Sequence, residues 1–248
     1  MAKTKKIIKR TTSAKVKRAD SKQIITALTK ISEAITSDLY LEDILKLIVN
    51  LTAETMGSKI CSLMLLDKES KSLSVKATQS VSHKYNKKPG IKLGAGVAGE
   101  VAQNGKPITI NDVRKDEHYI NREIAKREKL CSLLCVPLVF KDKIIGVLNS
   151  YTSRPHKFTK SEINVLKSIA NQSAIVIENF RLVIESQVIK EELESRKTVE
   201  RAKGILMKKN NLDEKEAYNW IRKYSMNNRK SMKEIAEAII LSNDIGKS

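Results

Sequence analysis

The sequence predicts an α+β protein: an antiparallel-sheet domain with flanking helices, a long connecting helix, and then a small three-helix bundle. Three observations predict this order. Short strand-like apolar runs are confined to the middle of the chain, where KICSLMLLD, SLSVKAT, CSLLCVPLVF and KIIGVLNSYTS stand between polar turns. No Gly or Pro interrupts the chain from Ser161 to Lys203, so one helix can run through that whole stretch. The C-terminal segment then holds two capping-box signatures, Asp213 with Glu216 and Ser231 with Glu234, each opening a helix. A chain of 248 residues has room for two modest domains.

Residues 1–20, MAKTKKIIKRTTSAKVKRAD, are rich in Lys and Arg and lack a sustained apolar period. Such a segment buries too little surface to offset the entropy of ordering it, and it reads as a flexible basic arm. From Ser21 the residues Ile24, Ile25, Leu28, Ile31 and Ile35 recur at spacings that place them on one helical stripe. A second helix fits Leu41 to Met56, where Ile44, Leu45, Ile48, Val49 and Thr52 repeat the spacing and Gly57 stands as a C-cap.

The sheet begins after it. Lys68-Glu69-Ser70-Lys71 separates two strand-like runs and predicts a hairpin. A short helix fits Val97 to Asn104, and a strand follows near Pro107 to Ile110. The polar residues 112–129 predict one exposed helix in a long loop. A turn at Lys141-Asp142 joins the clearest hairpin, and Pro137 in its first strand favours an edge or a bulge there.

Thr159 and Ser161 are N-cap candidates for the long helix. Within it Leu166, Ile169, Ser173, Val176, Phe180 and Val183 alternate by three and four, which makes a dimerisation seam candidate; the first half of the stripe is expected to pack on the helix's own sheet instead. The C-terminal bundle breaks at Asn210-Asn211 and draws its core from Val199, Ala202, Ile205, Leu206, Ala217, Ile221, Tyr224, Ile235, Ala236 and Ile239. The domains therefore run 1–20, 21–182 and 183–248.

A net charge of +19 favours polyanionic partners, nucleic acid or an anionic membrane surface. No apolar run approaches the length of a membrane span and the N-terminus has no secretory signal, which implies a cytoplasmic protein without a membrane partner. Cys61, Cys131 and Cys135 form no CxxC pair and read as buried small hydrophobes, the last two facing one side of a strand. His83, His118 and His156 are far apart in sequence and read as solvated, so no metal site is expected. Enzymatic chemistry would need a nucleophile–His pair, clustered carboxylates or a phosphate loop, and none stands at a meaningful spacing. Gly94, Gly96 and Gly99 do not make the dinucleotide-binding spacing.

In the C-terminal segment the surface residues left over are basic, and Tyr218, Trp220 and Tyr224 lie among them. Cations hold phosphates and exposed rings stack on unpaired bases, a combination suited to looped RNA. For Tyr224 and Trp220 core packing is the preferred reading. The runs ERAKGILM and EAYNWIRKYSMNNRKSMKEIAEAII resemble the ANTAR family of antitermination modules. That resemblance implies binding, as a homodimer, to paired RNA hairpins with small loops. It implies RNA-facing roles for Arg196, Lys203, Tyr218, Arg222, Arg229 and Lys230, and close helix packing at Ala202, Gly204, Ala217 and Ala236. Ser225 stands where the family often has Ala.

Residues 21–180, with GAGVAGEVAQNGKPITINDV and SLLCVPLVFKDKIIGVLNSY, resemble a GAF domain. This implies a pocket over one sheet face, beneath the loop near residues 112–129, for a small-molecule ligand; the cofactor or ligand stays open, since neither a cyclic-nucleotide motif nor a bilin-attaching Cys-His pair is present. Together the two resemblances imply a signal-responsive transcription antitermination regulator. A DNA-binding regulator or a protein-binding signalling adaptor are the alternatives.

Overall fold

In the computed structural model, residues 21–34, 40–80 and 89–245 are described; the basic arm, Ile35 and His83 lie outside the described residues. The chain divides into two compact units between Phe180 and Arg181.

The first unit is built on a six-stranded antiparallel sheet. Its strands are β1 (Ile60–Asp67), β2 (Ser72–Thr78), β3 (Ile91–Lys92), β4 (Ile108–Ile110), β5 (Leu133–Phe140) and β6 (Lys143–Tyr151), in the order β3-β2-β1-β6-β5-β4. The β1–β2 turn is closed by Asp67, whose Oδ1 accepts from the backbone N–H groups of Glu69 and Ser70. At the β5–β6 turn both Lys141 and Asp142 adopt positive φ, the mirror-image geometry whose twist matches that of paired strands. Pro137 pairs with Val147 of β6, while β4 reaches only Leu133, Leu134 and Cys135, so the missing proline donor faces no strand. A register shift follows at Leu138/Val139.

Period-two alternation sends neighbouring strand residues to opposite cores. Cys61, Leu63, Leu134 and Leu148 face helices α1 (Ser21–Glu33) and α2 (Leu41–Met56) and the beginning of the long helix α5 (Lys160–Asn210). Met64, Leu133, Cys135 and Val147 face α3 (Gly96–Asn104) and the 112–130 segment with its short helix α4 (Arg122–Arg127). Gly57 ends α2 in the left-handed conformation, as its place in the sequence predicts. Gly146 has a different role: a Cβ there would run into the Met64 carbonyl oxygen and come within 3.1 Å of Leu65 Cα. Only a hydrogen allows β1 and β6 to approach this closely.

Two expectations change in this unit. Cys131 does not share a strand with Cys135: it precedes β5, buried, with its Sγ accepting from Arg114 at 3.4 Å. His156 is half-buried and not solvated, with Nε2 2.9 Å from Glu162 Oε1. Glu162 also closes a capping box with Thr159, whose Oγ1 accepts from the Glu162 N–H and whose own N–H donates to Glu162 Oε2. That box fixes Thr159 as the N-cap of α5.

The second unit packs the distal part of α5 against α6 (Glu214–Asn228) and α7 (Met232–Ile245). Its core is Val199, Ala202, Leu206, Ala217, Ile221, Ile235 and Ala236. Both predicted capping boxes form, Asp213 with Glu216 and Ser231 with Glu234. Ser231's backbone N–H holds the Glu234 carboxyl down to about 2, with help from the Lys230 ammonium and the Ser231 hydroxyl. Since the folded value lies below the ordinary glutamate value of about 4.3, this cap stabilises fully above that pH and is lost as the pH falls towards 2. Glu234→Gln is therefore expected to flatten the acid-unfolding curve between those limits, measured by helical circular dichroism. An unchanged acid limb would show that the carboxylate contributes nothing there.

Candidate nucleic-acid interface

On α6, Ala217 and Ile221 are buried and face the core of the bundle. Residues three or four apart lie on one side of a helix, so the exposed side chains divide into two flanks beside that buried stripe. On one flank stand Tyr218 and Arg222, both exposed. On the other stand Trp220 and Tyr224, with their rings stacked at a centroid distance of 4.9 Å and an interplanar angle of 10°. Trp220 is 38% and Tyr224 48% exposed, so the expected core packing of these two rings is corrected. The core is already filled by smaller residues, and the stacked pair stands outside it with aromatic surface open to solvent.

Arg229 ends α6 with φ 53°, a left-handed conformation that a non-glycine residue adopts at a cost. Its N–H is held by the Met226 and Ser225 carbonyls. Ser225 adds a tie of its own, its hydroxyl donating to the Lys230 carbonyl at 2.6 Å. An alanine could not make this bond.

The six sequence-derived positions fall into two groups. Arg196, Tyr218, Arg222 and Arg229 are exposed, and none of the three arginines forms an ion pair among the described residues. Lys230 is exposed but bonded to Glu234 at 3.0 Å. Lys203 departs from the picture of a free cation. Its side chain is only 7% exposed, and its Nζ lies 2.9 Å from Glu200 and 2.8 Å from Glu214. These carboxylates, Glu214 first, raise its pKa and tie α5 to the start of α6.

Gly204 also departs from expectation. Ala202, Ala217 and Ala236 are fully buried and bring the helices close, but a Cβ at Gly204 would meet nothing within 4 Å. A helical glycine without a packing partner costs stability through backbone entropy. Gly204→Ala is expected to raise the stability of the second unit by about 0.5–1 kcal/mol, measured by chemical denaturation. A loss of stability would contradict the open environment.

The first unit holds a small cavity of about 20 Å³, lined by Met64, Val97, Tyr119, Asn149 and Tyr151 among others. The Tyr119 and Tyr151 hydroxyls meet at 3.2 Å, and burial pushes Tyr119 up to about 12. Asn149 Nδ2 donates to Ser62, while its buried Oδ1 has no hydrogen-bond partner among the described residues. The cavity admits no more than a water-sized group. No group of His, Cys, Asp and Glu among the described residues is arranged to hold a metal. None of their helices is long and apolar enough to cross a membrane.

Comparison with known proteins matches residues 39–178 to the GAF domain and residues 187–240 to the ANTAR domain. The chain is 27% identical over 167 residues to a methyl sulfide methyltransferase-associated sensor of Methanosarcina acetivorans, covering 65% of this chain and 17% of that protein. Over 70 residues it is 39% identical to the transcriptional regulatory protein PdtaR of Mycobacterium tuberculosis, covering 27% of this chain and 34% of PdtaR. It thus spans no more than about a third of either relative. Among solved structures, the GAF domain of a phosphoenolpyruvate-protein phosphotransferase from Coxiella burnetii superposes with a TM-score of 0.59 at 24% identity, over 66% of this chain and 97% of that one. That likeness bears on the fold alone.

Proposed function

Because the chain belongs to the GAF domain family and carries an ANTAR domain after it, we propose that it is a signal-responsive RNA-binding regulator of transcription antitermination. In this reading it acts in the cytoplasm, without catalysis, and binds hairpins in nascent RNA as a homodimer. The GAF-like unit, residues 21–182, takes a small-molecule signal. The ANTAR-like unit, residues 183–248, holds the RNA.

The stacked, solvent-facing pair Trp220–Tyr224 in a basic helical unit carries the reading. Exposed rings are costly to leave in water, and unpaired bases in a hairpin loop stack on such surfaces. Arg222, Arg229 and Arg196 supply guanidinium groups for phosphate, and Tyr218 adds a ring on the opposite flank of α6. Lys230 stands beside them. Lys203 belongs to the site as a residue that holds α5 and α6 in place.

The test is a titration of the full chain against a two-hairpin RNA and a DNA duplex of matched sequence. Tight binding to the RNA alone is expected; equal affinity for both would overturn the reading in favour of a DNA-binding regulator. Two substitutions separate the roles within the site. Arg222→Ala is expected to weaken RNA binding with no change in melting temperature. Lys203→Ala is expected to lower the melting temperature, and unchanged stability in that variant would return Lys203 to the contact surface.

A further inference from the structure

The corner between α6 and α7 carries two of the named cations, Arg229 and Lys230, at the end of the helix that bears the stacked rings. Its backbone closes in two bonds: the Arg229 N–H donates to the Met226 carbonyl, and the Lys230 N–H to the Ser225 carbonyl at 3.1 Å. This is a helix-ending motif whose left-handed residue is usually glycine, because a Cβ is unfavourable at that φ. Here the residue is an arginine at φ 53°. Glycine would end the helix at lower cost, so helix termination alone gives no reason for a guanidinium at this point.

A strained conformation persists where the surrounding bonds over-determine it. Ser225 supplies the additional bond. Its carbonyl accepts from the Lys230 N–H, and its hydroxyl donates to the Lys230 carbonyl at 2.6 Å, so one serine holds the residue after Arg229 by both of its peptide groups. On the other side of Arg229, Asn228 Nδ2 donates to the Tyr224 carbonyl at 2.9 Å. Lys230 is drawn onto α7 by Glu234. Arg229 is left exposed and, among the described residues, without an ion pair, on a backbone fixed from both ends. A cation on a fixed backbone loses less freedom when it meets a phosphate than one on a loose turn.

We infer that Ser225 is a positioning residue for RNA: its hydroxyl locks the corner so that the Arg229 guanidinium is presented to phosphate in one direction. This rests on the RNA-binding reading of the second unit and adds to it a residue that acts through Arg229.

The experiment titrates the full chain with a labelled two-hairpin RNA across salt concentrations, well below the melting temperature of each variant. Ser225→Thr and Ser225→Val match in shape and differ in the hydroxyl. The valine variant is expected to bind about threefold to tenfold more weakly than the threonine variant, the effect of one hydrogen bond. In an Arg229→Ala background that gap is expected to vanish. Equal affinities of the two variants, or the same gap with and without Arg229, would overturn the inference, since a merely structural loss does not depend on the arginine. Arg229→Gly is expected to raise the melting temperature yet weaken binding, with log K against log salt flatter by roughly 0.7–0.9, the share of one phosphate contact. No gain in melting temperature would contradict the strained corner on which the inference stands. A wild-type chain that does not bind the RNA would overturn the functional reading itself, whereas tight binding with none of these differences would overturn the role of Ser225 alone.

Discussion

Trp220→Ala combined with Tyr224→Ala is expected to weaken hairpin-RNA binding by about tenfold to a hundredfold, the loss that follows from removing one base–aromatic stack worth roughly 1–3 kcal/mol. Both rings are half-exposed and outside the bundle core, so thermal unfolding of the doubly substituted chain is expected to change little. The conservative pair Trp220→Phe and Tyr224→Phe keeps two flat faces and is expected to retain most of the affinity. Fluorescence anisotropy with a labelled two-hairpin RNA reads all three proteins. Full affinity in the double alanine variant would remove the stack from the interface and leave the arginines to account for binding.

Gly146→Ala has the largest expected effect on folding. An added methyl group meets the Met64 carbonyl oxygen and the Leu65 Cα, both backbone groups of the neighbouring strand that no rotamer change can clear. Over-packing of this kind costs about 1–3 kcal/mol where side chains can yield, and more where they cannot. The cost falls on the β1–β6 ladder, which pairs Ile60 to Leu65 with Gly146 to Tyr151 in the centre of the sheet. Native-state hydrogen exchange is expected to show faster exchange for the β1 and β6 amides, with protection of α6 and α7 unchanged. Normal protection in β1 would mean that the strands can separate at this point without penalty.

The architecture was legible where local chemistry decides it. The Asp213–Glu216 and Ser231–Glu234 boxes, Gly57 after α2 and the Lys141-Asp142 turn each depend on residues a few positions apart, and each forms as its sequence predicts. The candidate site was less legible, because tertiary contacts decide which side of a helix is wet. Trp220 and Tyr224 are large and apolar enough to be read as core, yet Ala217 and Ile221 already fill the space between the helices. Lys203 looks like its neighbouring cations until Glu214, from a different helix, comes within hydrogen-bond distance. Gly204 sits among small residues that do pack closely, and nothing local distinguishes it from Ala202. The heptad along α5 was ambiguous for a related reason: the same three-four spacing serves a helix packed on a sheet and a helix packed on its twin, and its first half, from Leu166 to Val176, is buried in the sheet-side core as expected.

The ion pairs of Lys203 and Lys230 bear on how binding would respond to ionic strength. Each phosphate neutralised by a protein cation releases condensed counterions, and log K falls with log salt concentration by roughly 0.7–0.9 per contact. A lysine already neutralised by its own Glu200, Glu214 or Glu234 contributes little to that release. The slope should therefore follow Arg196, Arg222 and Arg229, and the chain's net charge of +19 overstates its sensitivity to salt.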